Sequence, residues 1–396
     1  MAKRRVKNKD KKMKVVFIGQ KGIPTLMGGI ERHVEELTIR LAKQGHDVIV
    51  YTRPNYSDKK LNEYKGVRLV SLPSLATKHL DAISHTFFAC LDVSFRRDID
   101  VIHFHSIGPS FFIWLAKLLN PLTPVVATFH SQCYYHKKWG KFAKFSLKVG
   151  EYVCCKFPDR LITVSKNLRR YVLKKYGVKA SYVPNGVPNY SPVKPDEIKK
   201  RGLEKGSYIF YGGRLIRHKG LHYLIEAFSK VRTDKRLVIS GEGMFTDNYE
   251  QELKHSAQKD PRVMLIGRID GTSKELAELF SNAYIYAHPT EAEGLSISLL
   301  ETMSYGVVPL ISNIPENLEA VEQAGFVFES GNVEDLRGKL QHLIDNPDEV
   351  RSKEMLGKER VEECYSWDVI AEDIANVYRD AQSECRFNLR KCFKFK

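Results

Sequence analysis

What most restricts the folds open to this chain is an alternation of short apolar strands and amphipathic helices that begins twice. Residues 14–18 (KVVFI) read as a buried strand, 19–29 as a glycine-bearing loop, 31–43 as a helix stopped by Gly45, and 47–51 as the next strand. Strand, glycine turn, helix and strand make a β-α-β unit, which commits the chain to a parallel sheet. Further strands are expected over 67–72, 101–104, 124–129, 161–164 and 180–183, with helices over 82–95, 111–119 and 141–155. The opening then repeats: a strand at 208–211, the loop Gly212-Gly213-Arg214-Leu215-Ile216-Arg217-His218-Lys219-Gly220, and a helix over 221–231. Strands at 236–240, 263–266, 283–287 and 308–311 follow it.

The fold class is therefore α/β, with two doubly wound Rossmann-like domains in series. The first is expected over 13–187 and the second over 207–366, joined by a linker, 188–206, rich in proline, lysine and acid. A last helix, 367–385, has no strand after it and is expected to cross back onto the first domain. At 396 residues, with 43% hydrophobic composition, the chain can fill two cores. Ligands of such sheets sit beyond the carboxyl ends of the strands, so two facing domains share one cleft.

The loops at those strand ends carry the chemistry. In His288-Pro-Thr-Glu-Ala-Glu293-Gly294-Leu295-Ser296-Ile-Ser-Leu-Leu-Glu301, a strand end leads through a loop into a helix that stops at Gly306. Free N–H groups around Gly294, Leu295 and Ser296 at the helix start attract phosphate. Glu293 and Glu301, with seven residues between them, would repel a phosphate if they faced it, so they suit the hydroxyls of a sugar or ribose. Solvated glutamates would show the same spacing. In the loop 212–220, Gly212 and Gly213 let backbone approach a ligand, and Arg214 and Lys219 place two cations where a diphosphate could lie. It is not a Walker A loop, since no Gly-Lys-Ser/Thr follows. Gly28 and Gly29 supply a glycine pair at a helix start on the opposite domain.

Histidines raise a second possibility. His130 ends the strand 124–130, at the cleft rather than in the core, in a structural or a substrate role. His103 and His105 share a strand face, but no third ligand stands at a diagnostic metal spacing, and no metal site is assigned. Asp98 and Asp100 form a D-x-D that precedes a strand instead of ending one, which favours a structural reading.

The formal net charge is +16 and concentrates at the ends. Residues 1–12 carry seven Lys or Arg against Asp10 alone, and 386–396 interleave five with Phe387, Leu389, Phe393 and Phe395. Basic residues near an anionic lipid surface contribute ~1 kcal/mol each, so both tails suit reversible membrane contact. A solvated tail or a nucleic-acid patch would have similar composition, but no nucleic-acid module is recognisable. No apolar window approaches the ~20 residues of a membrane span and no apolar core follows the basic start, so a cytoplasmic, peripheral protein is expected. Seven cysteines without a C-x-x-C pair read as free thiols.

Gly28-Gly29, Gly213-Arg214 with Lys219-Gly220, and the E-x7-E pair Glu293 and Glu301 resemble those of family 4 glycosyltransferases of the GT-B fold, from residue 13 to about 385. The opening, 18–37, is similar to a bacterial subgroup of rhamnosyl and hexosyl transferases of surface polysaccharide assembly. This chain reads Gly-Gly-Ile-Glu where that subgroup commonly reads Gly-Gly-Phe-Glu, so the sugar is not assigned. The resemblance implies a metal-independent, retaining transfer from a nucleotide-diphosphate sugar, with no cofactor. It implies that Arg214 and Lys219 neutralise the leaving diphosphate, Glu301 binds the ribose, and Glu293 holds the donor sugar. Gly294 to Ser296 would hold the distal phosphate, Gly29 would approach the diphosphate, and His130 would touch the sugar or acceptor. A glycan on a lipid carrier at the inner leaflet is the acceptor expected from the basic tails. A sugar-nucleotide epimerase of the same fold, a non-catalytic nucleotide-sugar binder and a nucleic-acid-binding protein are the alternatives.

Overall fold

The computed structural model describes residues 12–26, 28–77, 80–132, 134, 140–243 and 248–394, without the side chains of residues 142 and 386–394. Two parallel sheets carry the molecule. The first comprises β1 (Lys14–Ile18), β2 (Asp47–Thr52), β3 (Glu63–Tyr64), β4 (Val67–Ser71), β5 (Val101–His105), β6 (Val125–Phe129), β7 (Arg160–Thr163) and β8 (Ser181–Tyr182). Its helices are α1 (Gly29–Lys43), α2 (Asp81–Phe95), α3 (Ile107–Ser110), α4 (Ile113–Leu119), α5 (Lys141–Lys156) and α6 (Lys166–Tyr176). The strand order is β3-β4-β2-β1-β5-β6-β7-β8, parallel except for the β3–β4 hairpin.

The second sheet orders β11 (Val263–Gly267), β10 (Arg236–Ser240), β9 (Tyr208–Gly212), β12 (Ile285–His288), β13 (Pro309–Ser312) and β14 (Phe326–Phe328). Around it stand α7 (Leu221–Ser229), α8 (Tyr249–Ala257), α9 (Lys274–Ser281), α10 (Ile297–Ser304), α11 (Pro315–Val321), α12 (Val333–Asp345), α13 (Pro347–Arg351) and α14 (Glu354–Cys364). The central strands are covered on both faces; β5, β6, β9 and β12 are buried at every residue and mostly apolar.

Each sheet reverses its order once, at β1/β5 and at β9/β12. A crevice opens at such switch points. The loops that leave β1, β9 and β12 there are the stretches 19–28, 213–220 and 289–296, which the sequence marked by their glycines and charges.

The final helix, α15, runs from Trp367 to Lys394 without a break. The sequence reading had divided it at 385, taking 386–396 for a separate tail. Its buried face, Ile370, Ala371, Ile374, Ala375, Tyr378 and Ala381, repeats at helical spacing in the core shared with Val34 and Leu37 of α1. The helix therefore does cross back to the first lobe, where Asp368 accepts from Arg40 at 3.1 Å. Two chain segments cross between lobes, and they touch: Val187 N donates to Tyr365 O at 2.9 Å and Val187 forms a bridge with Ser366. Among the described residues no helix is long and apolar enough to cross a membrane, and no disulfide is formed. The expected tail contacts, residues 1–11 and the side chains from 386 on, lie outside the described residues.

Candidate active site

The two loops of the second lobe are fastened to each other. Gly220 has φ +70, and a Cβ there would stand 2.0 Å from Pro289 O, so both backbone conformation and close approach require glycine. Glu291 N and Thr290 Oγ1 donate to His218 O at 2.8 and 3.1 Å. This stitching brings Lys219 Nζ onto Glu293 Oε1 as a short charged hydrogen bond, with both side chains largely buried. Burial pushes the Glu293 carboxyl up, but Lys219 and His288 outweigh it and hold it below the ordinary carboxylate range. His288 is buried with neither ring nitrogen hydrogen-bonded, and burial lowers its pKa to about 3.

A cavity of about 220 Å³ lies between the lobes, lined by Arg214 and Glu301 but not by this pair. Leu26 and Gly28 line it from the first lobe; Gly213, Arg214, Arg268, Phe280 and Glu301 line it from the second. Arg268 spans the opening, donating to Leu26 O at 2.7 Å. Glu301 is pushed up to about 7 by burial, against the pull of Arg32 and with Glu36 adding to the rise. Arg32, on α1, donates to Tyr190 OH at 3.1 Å, and the Tyr190 ring stacks on Tyr305 at 4.5 Å with 3° between planes. A linker residue, a residue of the first lobe and the α10 carboxylate thus form one group. Lys21, in the β1–α1 loop, lies over the Tyr56 ring at 4.6 Å. Burial lowers its pKa, Glu31 raises it, and Arg53 and Arg214 lower it further, the last acting from the other lobe.

The third group is a set of histidines at the seam. A Cβ on Gly294 would stand 1.7 Å from His130 O, so the α10 loop lies directly on the end of β6. His130 is consequently only 7% exposed, closed over rather than open to a cleft as its strand-end position suggested. Its Nε2 meets His105 Nδ1 at 2.9 Å, and the His33 ring stands edge-on to it at 4.9 Å. Asn185 Nδ2 donates to Leu295 O at 2.7 Å, which turns its Oδ1 toward His33 Nδ1 at 2.9 Å. His33 Nδ1–H is therefore the donor, leaving Nε2 a buried lone pair without a hydrogen bond. Burial keeps all three imidazoles neutral, His33 down to about 4.

The sequence offered no third ligand beside His103 and His105; the fold instead gathers His105 with His33 of α1 and His130, leaving His103 out. Ligand atoms of His33, His105 and His130 lie within 4.8 Å of one another. His103 is occupied instead by Tyr378 OH at 2.7 Å and Thr128 Oγ1 at 2.8 Å. Asp100 is spent on structure, accepting from Lys14 N at 3.0 Å and from Gln382 Nε2 at 2.6 Å.

Of the residues singled out by sequence, Gly28, Gly213, Arg214 and Glu301 line the cavity. Lys219 and Glu293 are paired with each other outside its lining, and Gly294 meets His130. Gly29 opens α1 against Ile297 of α10, with a would-be Cβ 3.9 Å from Ile297 Cδ1. Leu295 and Ser296 are buried at the start of α10, where Ser296 Oγ and Ser298 Oγ are 3.1 Å apart. Lys21, Arg32, His33, Asn185 and Arg268 escaped the sequence reading. Lys21, Arg32 and His33 sit inside or beside the glycine stretch 19–29, and that adjacency was the available signal.

The sequence model described as Glycosyltransferase Family 4 matches residues 27–189, and that described as Glycosyl transferases group 1 matches 193–362. "Glycogen synthase" of Mycobacterium tuberculosis is 26% identical, with 93% of this chain and 95% of that protein covered. "GDP-mannose-dependent monoacylated alpha-(1-6)-phosphatidylinositol monomannoside mannosyltransferase" of Corynebacterium glutamicum is 25% identical, covering 92% and 96%. The crystal structure of Anabaena HepE in complex with UDP and glucose superposes with a TM-score of 0.78 at 17% identity, over 93% of this chain and 100% of that one. That likeness is one of fold, two Rossmann-like lobes of the GT-B type. The chain belongs to the family 4 glycosyltransferases, with a family 4 domain followed by a group 1 domain.

Proposed function

We propose that this glycosyltransferase moves a hexose or deoxyhexose from a nucleoside-diphosphate sugar to a glycan or lipid-linked glycan in surface polysaccharide synthesis, without a metal and with retention at the anomeric carbon. One observation carries the reading. The cavity between the lobes has a glycine turn and a carboxylate for a nucleoside on one side, with Arg214 at its wall, and the β9 and β12 loops that leave the same switch point carry the Lys219–Glu293 pair. Glu301 accepts the ribose hydroxyls. The diphosphate lies between Arg214 and Lys219, with the amides of Gly294 to Ser296 on its distal phosphate and Gly28 and Gly29 closing from the first lobe. Lys219 then exchanges its carboxylate partner for phosphate, which frees Glu293 to hold the donor sugar.

In the transfer the bond from the anomeric carbon to the diphosphate breaks as the acceptor oxygen bonds to that carbon on the same face. The acceptor proton passes to the departing phosphate oxygen. Fixed cations and amides meet the charge that develops there, each worth roughly 3 kcal/mol in a dry site. The relatives' printed names support the class of donor and divide on its base: one is GDP-mannose-dependent and one structure holds UDP. The Corynebacterium relative's lipid-borne acceptor supports a lipid-linked glycan, and with it work at the inner face of the cell membrane.

A thermal-shift panel of nucleoside diphosphates and their sugars, without added metal, tests this on wild type and Glu301→Ala. A ligand at ~100 times its Kd adds about 2.7 kcal/mol of apparent stability. One nucleotide should stabilise the wild type and lose its effect in the variant; a panel without any shift would remove the donor site.

A further inference from the structure

We infer that Lys21, on the loop that leaves β1, is a third cation for the distal phosphate of the donor, reaching across the cleft so that one phosphate group is held by both lobes. The inference rests on the donor-site reading above and names a residue that reading does not use. The Lys21 backbone is fixed from two sides: its N–H donates to Glu31 Oε1 at 3.1 Å, and its C=O accepts from Arg53 N at 2.7 Å. The same carboxylate reaches the cavity wall, since a Cβ on Gly28 would stand 2.1 Å from Glu31 Oε2. Gly28 lines the cavity together with Arg214 of the other lobe. One carboxylate therefore separates the Lys21 backbone from the wall along which the diphosphate would lie.

The side chain is placed but not paired. Lys21 is half-buried, with Nζ 4.6 Å from the centroid of the Tyr56 ring. Among the described residues neither the Lys21 amine nor the Arg214 guanidinium makes an ion pair or a hydrogen bond. The neighbouring cations are occupied. Arg53 holds Asp81 at 2.9 Å and Gly19 O at 3.2 Å, and Arg268 holds Leu26 O. Arg32 holds Glu36 at 3.3 Å and Tyr190 OH, and Lys219 holds Glu293. An ammonium resting on one aromatic face without a counter-ion keeps its hydrogens free for a ligand.

The surroundings select an anion. Arg214 disfavours the charged amine from across the gap, as do burial and Arg53, while Glu31 and Asp81 offset part of this. Two like charges that face each other repel, and an anion between them pairs with both. Phosphate suits the pair: a lysine is a point charge that can meet a tetrahedral oxyanion from any side, and an arginine adds its planar fork. With Arg214 and Lys219 on one lobe and Lys21 on the other, the diphosphate becomes the tie that favours the closed arrangement, because it gains its third cation only there. A nucleotide without the distal phosphate can still reach Glu301 but leaves Lys21 unengaged.

Titration calorimetry of the full chain tests this with the nucleoside diphosphate that stabilises the wild type and with the matching nucleoside monophosphate, on wild type, Lys21→Met and Lys21→Arg. Methionine keeps an apolar stem over Tyr56 and removes the charge, so Tm should hold or rise, the half-buried amine being charged at a cost in the empty protein. A hydrogen bond to a charged group contributes roughly tenfold or more. Lys21→Met should therefore weaken the diphosphate at least tenfold and the monophosphate less than threefold, and Lys21→Arg should restore the diphosphate to within threefold of wild type. A wild type that binds no nucleoside diphosphate would end the donor-site reading and this inference with it. Wild-type diphosphate affinity in Lys21→Met would end this inference alone, and so would equal weakening of both nucleotides, which marks a disturbed loop instead of a lost phosphate contact. Unchanged diphosphate affinity with a raised KM for the acceptor would assign Lys21 to an anionic group on the acceptor and overturn the inference as stated.

Discussion

Gly294→Ala should uncouple the two lobes without unfolding either. The added Cβ would stand 1.7 Å from His130 O and 2.9 Å from His130 C, where ordinary contacts begin at 3.4 Å. The atoms it meets are backbone at the end of β6, so no side-chain rotation relieves them and the seam must widen by about 1.7 Å, the difference. Lys219 and Glu293 both belong to the second lobe and move together, so nucleotide affinity should change less than fivefold. The seam contacts, Gly294 on His130 and Asn185 on Leu295, are the ones lost. A misplacement of ~1 Å in a reacting pair can cost 10²-fold, so kcat/KM should fall by at least a factor of ~100, or about 2.7 kcal/mol. Steady-state transfer from the donor identified by thermal shift measures it, with calorimetry for nucleotide Kd. Gly338→Ala is the control: its Cβ meets nothing within 4 Å, and alanine is the better helix residue by up to ~1 kcal/mol. A Gly294→Ala enzyme within threefold of wild-type kcat/KM would refute the placement of the reacting groups at this seam.

Lys219→Ala should reduce turnover a hundredfold or more and also lower Tm, because it strips the partner from a buried carboxylate. Lys219→Met/Glu293→Leu should recover Tm but not turnover; if the double variant regains activity, Lys219 has no role at the diphosphate. Glu301 has a folded pKa of about 7 against an ordinary 4.5, so the folded state keeps a proton the unfolded chain releases. Its contribution to stability is whole below about pH 4.5 and lost as pH rises through about 7. The empty enzyme should therefore lose Tm between pH 5 and 8 relative to Glu301→Gln, while nucleotide affinity rises over the same range; parallel profiles for the two proteins would exclude the coupling. Exhaustive dialysis against a chelator should leave turnover within twofold. Loss that zinc restores would instead assign a metal to His33, His105 and His130.

The fold was legible where periodicity and glycine spacing agree. The two openings at Lys14 and Tyr208, and the stretches 19–29, 212–220 and 288–301, could be read because a parallel strand buried on both faces must be apolar and the turn after it must contain residues tolerant of tight approach. The charged helix α6 was not marked, although Ser165 caps it at Leu168 N and Gly177 ends it in the left-handed region. Its basic residues obscured the two buried positions, Leu168 and Val172. The break assumed at 385 in α15 had the same source, since a helix that leaves the core and turns basic resembles a tail. For the candidate site, the sequence marked residues lobe by lobe, and what it missed lies partly across the gap, Arg32 near Glu301 and Arg268 on Leu26 O, and partly within the first lobe, His33 against His130 and His105. The first two pairs are more than two hundred residues apart and need one lobe to close on the other; the histidines are brought together by the packing of α1 on the first sheet.

The paired crossing of Val187 and Ser366 has a mechanical consequence. A single connecting strand would leave one lobe free to bend and to twist against the other. Two strands bonded side by side act as a two-ply strap, which flexes across its width and resists torsion, so opening is confined to one swing. Trp367 is set into that strap, with its ring 2.6 Å from the position of a Cβ on Gly186 and 5.3 Å from the His33 ring, and the Arg40 guanidinium lies over it at 5.8 Å. The swing axis thus passes one aromatic contact away from the histidines, where leverage is smallest. The groups farther out, Arg268 and Leu26 among them, would travel the most in such a swing.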